Sequence, residues 1–291
     1  MGINLFMNGG GTRLSAHLGG LQALTERKLP VQAWAGASAG SLIASIMASG
    51  FTHQQIVSLM FDTEYGQFLD RRPFRMIRDF GLCSGTTFEN WLNSVLEERC
   101  FKDLDVPLTV VATDISTGLP FLFSNERTPD VNIATAVRCS IGIPGVFGVR
   151  RVEERSLVDG TLTAVEANQL FPRPDDPSFL MRMIPDRSAP MEHRKTFGLA
   201  GYIRRMVEIM LRCADDLCRP EMWTHDLCIT VGAHSPIRFA MSNLDKQQLY
   251  ESGYGQCRRY LGNCALGAAR SDRAEVIEGH TANVVALLNR P

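Results

Sequence analysis

The sequence predicts an α/β protein organised around parallel strands. Two observations carry this. A short apolar segment at 3–8 is followed by a glycine-rich loop and an amphipathic helix. A second apolar segment at 31–35 is followed by Gly36-Ala37-Ser38-Ala39-Gly40 and another helix. This strand–loop–helix–strand–turn–helix order makes a βαβ unit, and parallel neighbours need such a crossover. A third observation extends the class along the chain. Strand-like runs keep recurring between helical ones as far as 227–231.

Each element has a local reason. The run 3–8 is continuously apolar apart from its asparagines, as a strand buried on both faces should be. Ser15 to Lys28 places Leu18, Leu21 and Leu24 on one helical face, and Pro30 closes it. Ser41 to Ser49 reads as a helix ended by Gly50, and Thr52 caps a further helix to Phe61. Thr86 to Arg99 carries Phe88, Trp91, Leu92, Val95 and Leu96 as a single stripe. Pro107 to Ala112 is a β-branched strand, with Leu119 to Phe123 as its hairpin partner across Ser116-Thr117-Gly118. A short helix at 133–139 and a strand at 156–158 follow. Leu180 to Ile184 and Leu227 to Val231 read as strands, and 201–217 and 245–261 as helices. Residues 172–178 are the strongest composition break, but strands continue beyond it. We therefore expect one domain over 1–291, with a core at about 3–185 and a C-terminal extension over 186–291.

Composition limits the function classes. The chain has 291 residues, 45% of them hydrophobic, and a net charge of −1, so no global field favours nucleic acid. Eight cysteines form no CxxC pair and match no zinc spacing; they read as buried thiols of a reducing compartment. The N-terminus has no basic, apolar and small-residue leader pattern, and no apolar run approaches a bilayer span. The expected location is the cytoplasm, with peripheral membrane contact at most.

The chemistry concentrates in two glycine-framed stretches. Gly36 and Gly40 flank Ser38 in a G-x-S-x-G pattern, where larger side chains would clash with the adjoining strand and helix. Ser38 is then a nucleophile on a strained turn or an ordinary helix-start serine. The loop Gly9-Gly10-Gly11-Thr12-Arg13 is a plain turn, an oxyanion hole, or the start of a dinucleotide fingerprint. The fingerprint fits poorly, because Leu14 holds its third glycine position and no acidic residue ends the strand at 31–35. An oxyanion donor is typically worth about 3 kcal/mol in the transition state. A serine needs a base. None of the histidines stands in a suitable context; His17 reads as packed or capping. Asp159, at a strand end and followed by Gly160, is a base or a simple Asp-Gly turn.

In this order the motifs resemble the patatin-like phospholipase family. The similarity includes Gly9–Arg13 with His17-Leu18-Gly19-Gly20-Leu21, Gly36–Gly40, Ala112-Thr113-Asp114-Ile115 and Thr117-Gly118. It continues through Cys139-Ser140-Ile141-Gly142-Ile143-Pro144-Gly145-Val146-Phe147, Val158-Asp159-Gly160 and Phe239–Ser242 with Leu249–Tyr254. The resemblance implies a three-layer α/β/α sandwich with a central, mostly parallel sheet. It implies hydrolysis of lipid acyl esters by a Ser38–Asp159 dyad without metal or cofactor, with Gly9, Gly10, Gly11, Thr12 and Arg13 forming the oxyanion loop. Phospholipid or lysophospholipid is the substrate class it suggests. A transacylase, or an effector gated by an activating protein or small-molecule signal, shares the same motifs. The sequence departs from the family at Leu14 and Thr161, where glycine and glycine or alanine are usual.

One stretch is left over. Between 65 and 82, Arg71, Arg72, Arg75 and Arg78 interleave with Phe68, Phe74, Met76, Ile77 and Phe80. It suits a helix packing its apolar side on the core, or contact with an anionic bilayer through Arg71, Arg72, Phe74 and Arg75. A second basic run, Arg187 to Lys195, reads as a surface loop.

Overall fold

The computed structural model describes residues 2–70, 80–185, 198–214 and 217–264. Their strands are β1 (Ile3–Met7), β2 (Val31–Ala37), β3 (Gly81–Cys83), β4 (Leu108–Asp114), β5 (Leu119–Ser124), β6 (Gly145–Phe147), β7 (Arg150–Val152), β8 (Arg155–Val158), β9 (Ser178–Ile184) and β10 (His225–Thr230). Their helices are α1 (Ser15–Glu26), α2 (Ala39–Ala48), α3 (His53–Asp62), α4 (Thr86–Val95), α5 (Ile133–Ser140), α6 (Ala167–Leu170), α7 (Leu199–Ala214) and α8 (Asn243–Asn263).

Eight strands form one sheet. Five of them, in the order β10-β9-β1-β2-β4, are mutually parallel. β5, β8 and β7 add antiparallel pairs at the β4 end, while β3 and β6 form a separate parallel pair. The parallel strands are buried on both faces, as their continuous apolar runs require. Leu5 and Met7 of β1 pack into one core, Phe6 into the other. The first core is thick and holds side chains of α1 to α5 and α8. The second is thin: Val165, α6, Phe171 and Trp223 cover the sheet, with Trp223 stacked on Phe6 at 5.2 Å between ring centroids. This is the expected three-layer sandwich with layers of unequal thickness.

Boundaries differ where tertiary contacts override local pattern. α4 stops at Val95 rather than Arg99. Glu97 and Glu98 take positive φ, which turns Phe101 into the core and lets Cys100 bridge to Asn132. β2 runs on to Ala37, directly into the Ser38 turn. α8 starts earlier, because Ser242 and Asp245 form a reciprocal cap in which each side chain accepts the other's backbone N–H. The three-residue strands β3, β6 and β7 and the one-turn helix α6 were not expected; such lengths carry no periodicity. β10 lies beyond residue 186 and still pairs into the central sheet, so the C-terminal segment supplies core as well as cover. The cysteines also vary more than expected: Cys83, Cys139 and Cys257 are buried, but Cys213 is exposed. Residues 71–79 and 186–197, with Arg71, Arg72, Phe74 and Arg75 and the second basic run, lie outside the described residues.

The two edges of β4 position the site. β5 pairs with β4 along 109–114 and occupies one edge of it. The other edge is shared: β2 takes it up to Ala37 opposite Val111, and β8 takes it from Val158 opposite Thr113. β2 and β8 run toward each other, so Ser38 and Asp159 both emerge at the single rung left between them, Ala112.

The turn at that rung is tightly packed. A Cβ at Gly36 would lie 2.5 Å from the backbone nitrogen of Ser41, and one at Gly40 would overlap the Met7 carbonyl. Gly40→Ala therefore has to push α2 off β1. We expect a loss of about 2–3 kcal/mol, read as a melting temperature lower by about 5–10 °C. An unchanged melting temperature would mean that the contact yields freely.

Candidate active site

Ser38 sits between β2 and α2 at φ 51° and ψ −128°, a conformation that L side chains seldom adopt. Such strain costs about 1–3 kcal/mol and persists only where the surroundings enforce it. Here they do. The Ser38 N–H donates to Ser140 Oγ at 2.8 Å, and Ser140 Oγ donates in turn to the Val111 carbonyl. Ser140 thereby ties the turn to β4 from α5. The Ser38 hydroxyl donates to Asp159 Oδ2 at 2.7 Å, at the N-terminal end of α2.

Asp159 is fully buried. Its other oxygen, Oδ1, accepts from Thr161 Oγ1 at 2.6 Å and from the Thr161 N–H at 3.0 Å. Its own carbonyl accepts from Thr113 Oγ1 at 2.8 Å. Burial pushes the carboxyl pKa up from its ordinary value, and the hydrogen bonds from Thr161 and Ser38 oppose that rise. Gly160 allows the turn to sit on β4, because a Cβ there would overlap the Val111 carbonyl.

The glycine loop closes over the same spot. Gly9 lies against Ser38 and Thr161, where a Cβ would come 3.1 Å from Ser38 Cβ. Of the five loop residues, Thr12 and Arg13 hold the loop in place. The Thr12 N–H donates to the Pro236 carbonyl at 2.9 Å, and both the Arg13 N–H and Nε donate to the Gly10 carbonyl. Gly11, at φ 57°, takes the left-handed turn. Thr12 and Arg13 thus brace the loop.

A pocket of about 580 Å³, partly open to solvent, leads from Ser38. Its walls include Leu14, Leu42, Tyr65, Phe68, Phe88, Trp91, Phe147 and Phe239, and among the described residues no charged side chain lines it. Phe68, Phe88 and Trp91 form one aromatic cluster, with centroids 5.0 to 5.8 Å apart. Tyr65 is backed by buried Lys246, whose ammonium lies 4.5 Å from the ring and donates to the Met60, Phe61 and Thr63 carbonyls at the end of α3.

His17 lies apart from this chemistry. Its ring is buried, and burial pushes its pKa down to about 3, so it is neutral. Among the described residues no group of three His, Cys, Asp or Glu side chains could hold a metal ion. Nor is any described helix long and apolar enough to cross a membrane.

The model of the patatin-like phospholipase family matches residues 5–166. The chain belongs to that family. Protein YqhO of Bacillus subtilis is 30% identical over 190 residues, 58% of this chain and 64% of YqhO. An NTE family protein of Mycobacterium tuberculosis is 29% identical over 167 residues, 54% of this chain and 42% of its own. The chain thus spans less than two thirds of these relatives. Among solved structures, VipD of Legionella pneumophila shares the fold at a TM-score of 0.62 and 16% identity, over 89% of this chain and 66% of VipD.

Within the patatin-like framework the two departures have definite places. Leu14 lines the pocket wall, and Thr161 holds the Asp159 carboxylate through its hydroxyl while its methyl packs on Gly9. The sequence reading missed the work of Ser140, Thr113 and Pro236. Ser140 and Thr113 lie in stretches that resemble the family, which is their only local signal. Pro236 lies about 70 residues beyond the matched segment, and nothing local marks it.

Thr161→Val keeps the packing and removes the hydroxyl. A hydrogen bond to a charged group contributes about 1.5–3 kcal/mol. Without it the Asp159 carboxyl holds its proton to higher pH, so the acidic limb of the kcat/KM profile moves upward in pH. On the acidic limb kcat/KM with a soluble short-chain ester should fall about tenfold, and Thr161→Ser should restore it. A profile that stays in place would remove Thr161 from the control of Asp159.

Proposed function

We propose that the protein is a serine lipid acyl hydrolase of the phospholipase A or lysophospholipase type, with residues 1–291 acting as one catalytic domain. The observation that carries this reading is the 2.7 Å hydrogen bond from Ser38 Oγ to buried Asp159, at the end of an apolar pocket and beneath the glycine loop. Family membership supports the same reaction class.

The reaction follows from these atoms. Ser38 Oγ attacks the ester carbonyl carbon while Asp159 takes its proton. The tetrahedral oxyanion faces the Gly10 and Gly11 amides and the N-terminus of α2. Collapse breaks the ester C–O bond, and Asp159 returns the proton to the leaving alkoxide. Water then attacks the acyl-enzyme with Asp159 again as base, releasing fatty acid and freeing Ser38. The uncharged pocket suits an acyl chain, for which each buried methylene contributes about 0.8 kcal/mol. The head group and glycerol then lie toward the mouth.

Asp159 must be ionised to act, so activity rises with pH through its raised pKa. Stability runs the other way. The folded state holds this proton more tightly than the unfolded chain, so the group's contribution falls as pH climbs from 3.8 through the folded value.

Release of fatty acid from defined phospholipids is expected from the wild type, with Ser38→Ala and Asp159→Ala lower by at least about a thousandfold. Asp159→Asn should be as inactive and yet melt at a higher temperature than wild type at pH 7, with a smaller gain at pH 4. Equal rates in all the proteins would overturn the dyad, and a lower melting temperature for Asp159→Asn would overturn the claim of a costly buried charge.

A further inference from the structure

Lys246 is buried where a lysine is disfavoured. It is 1% exposed, and it lies near the N-terminus of α8, where the helix dipole opposes a cation. An ammonium has three donors. All three go to main-chain carbonyls, those of Met60 at 3.1 Å, Phe61 at 2.9 Å and Thr63 at 2.8 Å. These carbonyls end α3, and at most helix ends water or a local cap satisfies such groups. Here a buried charge does so instead, and it ties the end of α3 to α8 across more than 180 positions of sequence.

The tie reaches one side chain further. Lys246 Nζ lies 4.5 Å from the centre of the Tyr65 ring, and the Tyr65 hydroxyl donates to the same Met60 carbonyl at 3.3 Å. Tyr65 is thus held by its face and by its tip. Apolar side chains in a pocket wall give way to a longer ligand by changing rotamer. A ring pinned by a cation and a hydrogen bond does not.

Tyr65 stands across the pocket from the proposed nucleophile. Ser38, Ala39 and Leu42 line the pocket from the start of α2, and Met60, Thr63 and Tyr65 line it from the end of α3. Packed helices lie about 8–10 Å apart, so an acyl chain whose ester carbon sits at Ser38 meets this wall after several methylenes.

We propose that Tyr65 is the stop that sets how long an acyl chain this protein accepts, with Lys246 as the positioning residue that holds it there. The proposal rests on the reading of the pocket as an acyl site and adds the side chain that limits the chain length. Lys246 lies beyond the matched segment 5–166, so the stop depends on the C-terminal part of this chain.

Binding tests this without turnover. The Ser38→Ala protein is titrated with primary fatty amides of increasing length, which are uncharged and keep the shape of the acyl group. Affinity should tighten about fourfold with each added methylene and stop tightening at one length. Tyr65→Ala should move that break at least about two methylenes longer. Lys246→Met should move it in the same direction, and should add nothing in the Tyr65→Ala background, because it acts through that ring. Should Lys246→Met melt too early to titrate, Lys246→Gln, which keeps two donors, replaces it with the same expected direction. A series without a break, a break that stays in place in Tyr65→Ala, or a uniform loss of affinity from the Lys246 change in both backgrounds would overturn the proposal. Affinity that ignores chain length altogether would remove the acyl site itself, and the stop with it.

Discussion

Two strand ends facing each other across one rung of β4 are the constraint on which the site depends. β5 seals one edge of β4, so β2 and β8 must share the other. They approach from opposite directions and stop with Ala112 between them. Ser38 and Asp159 are 121 positions apart in sequence and meet at 2.7 Å because the sheet leaves them no other place. The accessory contacts protect this meeting. Ser140 ties the Ser38 backbone to β4, Thr113 ties the Asp159 backbone to β4, and Gly160 lets the chain pass over Val111.

The arrangement concentrates cost at the site. Ser38 holds a strained backbone, and Asp159 is a carboxylate sealed from water. Neither is what a sequence selected for stability alone would keep. Both are held by a double-sided core, with Phe6 stacked on Trp223 below the sheet and six helices above it. The strain aims the hydroxyl and the desolvation raises the basicity of the carboxylate, so the energy is stored in the atoms that the proposed reaction uses.

What the sequence disclosed follows the range of the forces involved. The βαβ start was legible because its glycines, apolar runs and helix stripes are local. Thr161 stood out in the sequence only as a departure from the family, and the structure gives its hydroxyl a partner, the Oδ1 of Asp159. Thr12 and Arg13 were read with the glycines as one loop; their role as braces needs Pro236, more than 220 positions away, and the Gly10 carbonyl. β3, β6 and β7 were illegible because three-residue strands are defined by their partners.

On the proposed reading, this one hydrogen bond makes Ser38 the reactive serine of the chain. Labelling with a serine-directed fluorophosphonate, followed by peptide mass spectrometry to locate the adduct, tests it directly. A single modified residue, Ser38, is expected in the wild type, with a labelling rate at least about a hundredfold lower in Asp159→Asn, which removes the base but keeps the fold. An adduct on another serine, or equal labelling of Ser38 in Asp159→Asn, would contradict it.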